Sequence, residues 1–212
     1  MSKVLAVLLL CLIAYGYGSV RESVAATIFD EFDVELEVTL DNTKTHQLIS
    51  VSDSFNAAKN VQTIKYTKDG KEVTKVFTTV AFFDSQKIFM MSDDSKTCHE
   101  RPIGTKLELV QLFRRVFQDP TLSPVKELED QHMFQFTVNW NMIESMDDWT
   151  HVYFDSSSFA LKKIEQMTEK HEEPWITFSV VSPIKKASHP REYFTIKGCY
   201  ESVQDEVKAI VE

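Results

Sequence analysis

The stretch FDVELEVTLD, residues 32–41, alternates apolar with acidic or polar side chains at every position. In a β-strand, successive side chains point to opposite faces of the sheet. An unbroken period of two therefore predicts a strand with one buried face and one solvated face, which is typical of antiparallel sheets.

Further strands are predicted on both sides of a tight turn. Lys68-Asp69-Gly70-Lys71 carries the Asp-Gly pair that favours a type I′ hairpin turn. The flanking segments 61–67 and 72–83 form the two arms of this hairpin. Strand patterns continue over residues 87–92, 134–140, 149–154, 159–167, 175–181 and 192–197. About ten strands in all indicate a mainly β fold.

Two helices are expected beside the sheet. Thr105 and Glu108 form a capping box, and Pro120 ends the apolar stripe that follows it. The stripe consists of Leu109, Leu112, Phe113, Val116 and Phe117. Near the end of the chain, Ser202 and Asp205 form a second box ahead of Val203, Val207, Ile210 and Val211. Both apolar stripes need a partner, and a curved antiparallel sheet is the surface available. The fold class is therefore mainly β (α+β).

The N-terminus has the layout of a secretory signal. A lysine at position 3 precedes an apolar run over residues 4–14, and small residues follow up to Ser19. The run is shorter than the roughly 20 residues of a membrane-spanning helix. We expect residues 1–18 to be a signal peptide and residues 19–212 to be a single β-rich domain that is secreted, without a transmembrane anchor.

Three cysteines occur, and Cys11 lies inside the predicted signal. Cys98 and Cys199 are left as an even pair in an oxidising compartment, which predicts one disulfide. The neighbouring His99 raises the alternatives of a thiolate nucleophile or a zinc ligand. The nucleophile is disfavoured because adjacent residues on a loop rarely face each other and secreted thiols rarely stay free. The zinc site is disfavoured because no further ligands stand at a recognisable spacing.

The charge and the motifs exclude several functions. The net charge of −9 argues against nucleic acid as a partner. No phosphate loop, dinucleotide fingerprint or nucleophile elbow is present, and the six histidines are scattered. We therefore expect no enzyme activity and assign no catalytic residue. Calcium is the candidate cation, held by Asp93 and Asp94 or by the acidic face of the first strand, although solvated charge explains these residues as well.

Large apolar side chains occupy many strand positions. An apolar ligand pocket inside a curved sheet would use them as its wall, and methionines would let the pocket adapt to varied ligands. The candidate wall residues are Met90, Met133, Phe134, Phe136, Val138, Trp140, Trp175 and Phe178. Residue type alone does not separate this pocket from a filled core.

Four motifs together resemble the ependymin-related family. They are FFDSQKIFMM, a cysteine followed by Pro-x-Gly and an amphipathic helix, the hairpin VYFDSSSFALKKI, and EYFTIKGCY ending at a cysteine. The similarity is greatest to the development-specific branch known from sea-urchin embryos. It implies a fold like that of bacterial lipoprotein carriers, in which a strongly curved antiparallel half-barrel has helices packed across its concave side above a deep hydrophobic pocket. It also implies a secreted protein linked to extracellular matrix, calcium and lipid. The additional cysteines and the N-glycan sequons of vertebrate ependymins are missing from this sequence.

These observations favour a secreted, non-enzymatic protein that binds a hydrophobic, lipid-like molecule. The alternative is an extracellular-matrix or cell-adhesion component that acts through its acidic surface, with calcium-dependent binding to matrix proteins and no internal ligand. A hydrolase with its catalytic residues on distant strands is a third and more remote alternative.

Overall fold

One antiparallel sheet of eleven strands forms the framework of the protein. The computed structural model describes residues 29–40, 43–95, 97–104, 107–119, 121–139, 148–168 and 171–199. The strands are β1 (Glu31–Leu40), β2 (Thr43–Ser52), β3 (Ala57–Lys68), β4 (Lys71–Phe82), β5 (Lys87–Ser92), β6 (His99–Pro102), β7 (Val125–Leu128), β8 (Met133–Asn139), β9 (Asp148–Asp155), β10 (Leu161–Thr168) and β11 (His171–Lys186). Their order is β6-β5-β4-β3-β2-β1-β11-β10-β9-β8-β7, so the sheet stays open between β6 and β7.

The two faces of β1 differ as the sequence predicts. Phe32, Val34, Leu36 and Val38 are no more than 6% exposed, whereas the acidic residues between them are partly exposed. Leu40, at the end of the strand, departs from the pattern with 40% exposure. The period of two is therefore confirmed along β1 except at its last residue.

The predicted hairpin between β3 and β4 is confirmed. Lys68 pairs with Lys71, and Asp69 and Gly70 between them have φ angles of 53° and 74°. Two consecutive positive φ values define the type I′ turn, whose twist matches that of the flanking strands.

Helix α1 (Leu109–Gln118) packs against one face of the sheet. Its side chains Leu109, Val110, Phe113 and Val116 are fully buried in the same cluster as the apolar residues of β1. The predicted stripe is thus confirmed where the side chains are described, and the helix ends two residues before Pro120. We call this the helix-bearing face.

The predicted capping box at the start of α1 is wrong. The N-cap is Glu108, and its side chain makes no capping hydrogen bond. Instead, the N–H of Leu109 donates to Oδ1 of Asn56, which lies in the turn between β2 and β3. A distant amide therefore replaces the local cap. Thr105, the predicted signal 1–18 and the predicted helix over residues 202–211 lie outside the described residues.

On the opposite face of the sheet, residues 187–199, which we call the strap, pack over β3, β4 and β5. The strand predicted over residues 192–197 is wrong, because this segment crosses a sheet face and not an edge. It contains a 3-10 helix, Arg191–Phe194. Phe194 and Ile196 pack onto Ala57, Val80 and Phe89. Their two-residue spacing resembles the alternation of a strand, although this segment pairs with no strand of the sheet.

The predicted disulfide is present at the end of the strap. The sulfur atoms of Cys98 and Cys199 lie 1.96 Å apart and their Cα atoms 5.3 Å apart, with a separation of 101 positions in the sequence. The bond joins the strap to the segment that leads into β6, so it fixes the strap over the outer strands β3, β4 and β5.

Candidate ligand-binding face

The predicted pocket residues gather mostly on the helix-bearing face. Phe136, Val138 and Phe178 are fully buried and Phe134 is 7% exposed, all in the cluster that includes α1. Met90 and Trp175 are partly buried at its margin. Met133 alternates with Phe134 on β8, so its side chain points to the opposite face. Trp140 lies outside the described residues.

Aromatic rings fix part of this cluster. The rings of Phe134 and Phe159 are stacked with centroids 6.0 Å apart. The rings of Phe136 and Phe154 meet edge to face at 5.7 Å. Both distances lie in the favourable range for aromatic pairs. The β8–β9 side of the face is therefore ordered by ring contacts.

Three buried amides interrupt this apolar surface, and sequence reasoning missed them. Gln47 is 2% exposed, Asn60 8% and Gln166 1%. The register places all three on the helix-bearing face, because Gln47 lies opposite Leu36, Asn60 opposite Ile49 and Gln166 opposite Ile176. Each stands at a strand position where the alternation calls for an apolar residue, and that mismatch was the available signal.

The amide oxygens of these three residues have no hydrogen-bond partner, and neither has Nε1 of the Trp175 indole. A neighbouring amide behaves differently, since Nε2 of Gln62 donates to Oγ1 of Thr45 at 3.2 Å. Buried polar groups in folded proteins are nearly always paired. Unpaired groups of this kind mark positions where a further molecule, water or ligand, supplies the partner.

A small cavity lies on the other side of the sheet. It is lined by β4, β5 and the strap and is partly open to solvent, and its volume is about 30 Å³. That volume accommodates one or two water molecules and no acyl chain. Its lining residues are Val80, Phe82, Phe89, Phe194, Thr195, Ile196 and Cys199. The strap-bearing side is therefore well packed here.

Polar contacts hold the strap on its face. His189 Nε2 lies 2.8 Å from Oδ1 of Asp33, and the His189 ring stacks on Tyr193 at 3.9 Å. Lys59 donates to the Tyr193 carbonyl at 2.7 Å, and burial lowers the pKa of this lysine. The Tyr193 hydroxyl is 2.9 Å from Oγ of Ser50. These groups are engaged with one another and serve the packing of the strap.

The acidic positions considered for calcium are largely in local contacts. Glu37 accepts from Lys44 at 2.6 Å. Hydrogen bonds from Ser54, outweighing the effect of burial, lower the pKa of Glu31. Asp94 pairs with Lys75, whose ammonium lowers the pKa of that carboxyl together with Ser92. Among the described residues, no three His, Cys, Asp or Glu side chains gather as a metal site. Calcium binding stays a prediction.

Comparisons with known proteins identify no family. No family model matches the chain, and no curated protein matches it. An uncharacterized conserved protein from Thermus thermophilus is structurally similar, with a TM-score of 0.49 and 7% identity over 80% of this chain and 87% of that chain. This similarity is too distant to carry an argument about function. In the described part of the chain, no helix has the length and apolar character needed to cross a membrane.

Proposed function

We propose that this protein is a secreted, non-enzymatic binding protein that holds an apolar, lipid-like ligand against the helix-bearing face. In this proposal the sheet is a strongly curved half-barrel and α1 lies across its concave side, as the resemblance to the ependymin-related family implies. The disulfide supports an oxidising compartment, and the N-terminal sequence supports secretion.

The observation that carries the proposal is the mismatch in size between the sheet face and its helix. A ten-residue helix is about 15 Å long and about 10 Å wide. Eleven strands spaced about 4.8 Å apart span about 50 Å. Buried apolar residues of this face come from strands as distant as β5 and β8. Helix α1 alone is too small to cover such a surface, so in this proposal the two wings of the curved sheet face each other across it and enclose the ligand between them.

The acidic surface gives weaker support to the alternative, a matrix or adhesion component. Glu31, Asp33, Glu35 and Glu37 form a row on the strap-bearing side of β1. Three of them already have partners, since Glu31 accepts from Ser52 at 3.0 Å, Asp33 contacts His189 and Glu37 contacts Lys44. The helix-bearing face therefore offers the better candidate site.

Native mass spectrometry of the protein secreted by eukaryotic cells tests the proposal directly. We expect a mass above that of the polypeptide, and we expect organic extraction to remove the excess. The extracted protein should then bind Nile red, an uncharged apolar dye, with a rise in fluorescence. A protein that carries no extra mass and binds neither the dye nor any added lipid contradicts the proposal.

Two adjacent valines provide a matched pair of variants. Val180 is partly buried against the core cluster of the helix-bearing face, whereas Val181 is 57% exposed. Val180→Asn places an amide against the bound ligand, so the dye should bind about fivefold more weakly, while Val181→Asn should leave its affinity unchanged. Thermal melting of both variants checks that the fold is kept. Equal dye affinities in two folded variants would place the ligand elsewhere.

A further inference from the structure

The three buried amides of the helix-bearing face carry information about the ligand. Their oxygens, in Gln47, Asn60 and Gln166, are hydrogen-bond acceptors that meet no donor of the protein. An acceptor withdrawn from water without a donor is unfavourable. We infer that the ligand is an uncharged lipid whose polar end carries hydroxyl groups, and that these hydroxyls donate to the amides. The inference rests on the proposed function.

The positions of the amides fit a lipid that lies along the face. Gln47 and Asn60 occupy neighbouring strands, and Gln62 lies directly opposite Gln47. Gln166 lies on β10, which is separated from β2 by β1 and β11. These two strands contribute a wholly apolar floor to the region between the amides, formed by Leu36, Val38, Ile176 and Phe178. An acyl chain matches the floor, and hydroxyl groups match the polar positions at its borders.

The charge around the amides favours an uncharged ligand. The strand partners of Gln47, Asn60 and Gln166 that share their face, as far as the structure describes them, are Leu36, Gln62, Ile49, Thr79, Ile176 and Thr150. All six are neutral. A carboxylate or a phosphate buried there would lose its hydration and meet acceptor oxygens without a compensating cation. A fatty-acid anion or a phospholipid headgroup is therefore a poor match to this position.

Three probes with the same 18-carbon acyl chain separate the possibilities: 1-monooleoylglycerol, methyl oleate and oleate. Displacement of Nile red from the delipidated full-length protein gives their dissociation constants. With two net hydrogen bonds gained, we expect 1-monooleoylglycerol to bind about tenfold more tightly than methyl oleate. Oleate should bind more weakly than 1-monooleoylglycerol at pH 8, where its carboxyl group is ionised.

Variants of near-equal size assign the effect to the amides. Gln47→Met and Gln166→Met keep the side-chain length and remove the acceptor. Because the two adjacent hydroxyls of one glycerol group reach the amides at only one border of the floor, one of the two variants should reduce the preference for 1-monooleoylglycerol over methyl oleate at least about threefold. Gln135→Met is the matched control, because Gln135 lies on the opposite face of β8 between Phe134 and Phe136. It should keep the full preference. Without ligand, the two test variants should melt at the wild-type temperature or a few degrees above it, because an unpaired buried acceptor has been removed.

The outcomes distinguish this inference from the proposed function. If methyl oleate binds as tightly as 1-monooleoylglycerol, or oleate binds more tightly, the protein still binds lipid and the inference is overturned. The inference is also overturned if both test variants retain the preference for 1-monooleoylglycerol, because the amides then accept hydrogen bonds from ordered water and not from the lipid. If none of the three probes binds, the proposed function fails and the inference fails with it.

Discussion

Replacement of Asn56 should weaken the docking of α1. The side chain lies between three elements. Its Nδ2 donates to Oδ1 of Asp84 at 2.9 Å and to the carbonyl of Leu107 at 2.8 Å. Its Oδ1 accepts from the N–H of Leu109 at 3.2 Å. One amide therefore joins the β2–β3 turn to the β4–β5 turn and to the first residue of the helix.

The cost of Asn56→Ala follows from these contacts. Two neutral hydrogen bonds contribute about 1 kcal/mol each, and the bond to a carboxylate contributes about 1.5 kcal/mol. Asn56 also has a φ of 41°, and an alanine in the left-handed region costs about 1 kcal/mol. We expect a loss of about 4.5 kcal/mol in the free energy of unfolding. Asn56→Gly avoids the backbone penalty and should lose about 1 kcal/mol less.

Gln86 provides the control for the backbone. It occupies the equivalent last position of the β4–β5 turn with a φ of 57°, and its side chain is exposed. Gln86→Ala therefore changes a side chain at a left-handed position without touching the three hydrogen bonds of Asn56, and it should cost less than about 0.5 kcal/mol, because glutamine and alanine both carry a Cβ and bear the same backbone penalty. Urea unfolding followed by tryptophan fluorescence gives both values when the slope stays constant. If Asn56→Ala loses no more free energy than Gln86→Ala, the capping of α1 by Asn56 is refuted.

Three other changes have expected outcomes. The double replacement of Cys98 and Cys199 by alanine removes a bond spanning 101 positions, so guanidinium unfolding should show a loss of up to about 4–5 kcal/mol; a loss below about 1 kcal/mol would show that apolar contacts alone hold the strap. Burial lowers the pKa of His151 in the folded protein, although the carboxylate of Glu165 opposes this shift. The unfolded chain therefore binds more protons than the folded protein below about pH 6.5, and the free energy of unfolding falls there as the pH is lowered. His151→Gln should reduce that fall in a pH series of thermal melts, and an unchanged slope would contradict it. Ser123→Ala removes a buried hydrogen bond of 2.8 Å to the Val116 carbonyl and should lower the free energy of urea unfolding by about 1–2 kcal/mol; a loss within error would contradict it.

Sequence patterns located the strands whose faces differ strongly in polarity. The regular alternation of β8 predicts its strand because burial of one face requires the period of two, whereas the arms of the β3–β4 hairpin are predicted by the Asp69-Gly70 turn between them. The sequence indicates less clearly which residues end the turns in the left-handed (αL) backbone conformation. Asn56, Gln86 and Phe159 close three similar turns with φ angles of 41°, 57° and 56°, and only asparagine favours that conformation by residue type.

Three strands have no adequate signal in the sequence. In β2 the burial pattern includes Gln47, Ser50 and Ser52 together with Ile49 and Val51, so polarity does not report which side is buried. Strand β6 consists of four exposed residues including Pro102, and β7 has two exposed charged residues among four. Such short edge strands are stabilised by pairing with a neighbour that the local sequence does not reveal.

The start of α1 could not be predicted for a related reason. A capping box is a local pattern, and Thr105 with Glu108 satisfies it, but the N–H group of Leu109 is bonded by a residue 53 positions earlier. The choice between two caps depends on tertiary packing, which brings the β2–β3 turn beside the helix. The unpaired amides of the helix-bearing face could not be predicted either. Their lack of a hydrogen-bond donor becomes apparent only when the strand register shows which residues surround them.

The two faces of the sheet have opposite energetic roles. On the strap-bearing side, a disulfide, an aromatic stack and the hydrogen bond between His189 and Asp33 tie one segment down, and the disulfide alone contributes up to about 4–5 kcal/mol. On the helix-bearing side, each unpaired amide oxygen costs about 1–3 kcal/mol. Leucine or methionine at those three positions would remove this cost without loss of the alternating pattern. A chain under selection for stability alone has no reason to keep three such amides in one apolar face, whereas a chain that must recognise a hydroxyl group does. If the amides bind a hydroxyl-bearing ligand as we infer, the strongly fastened face offsets the destabilisation that this recognition causes on the other face.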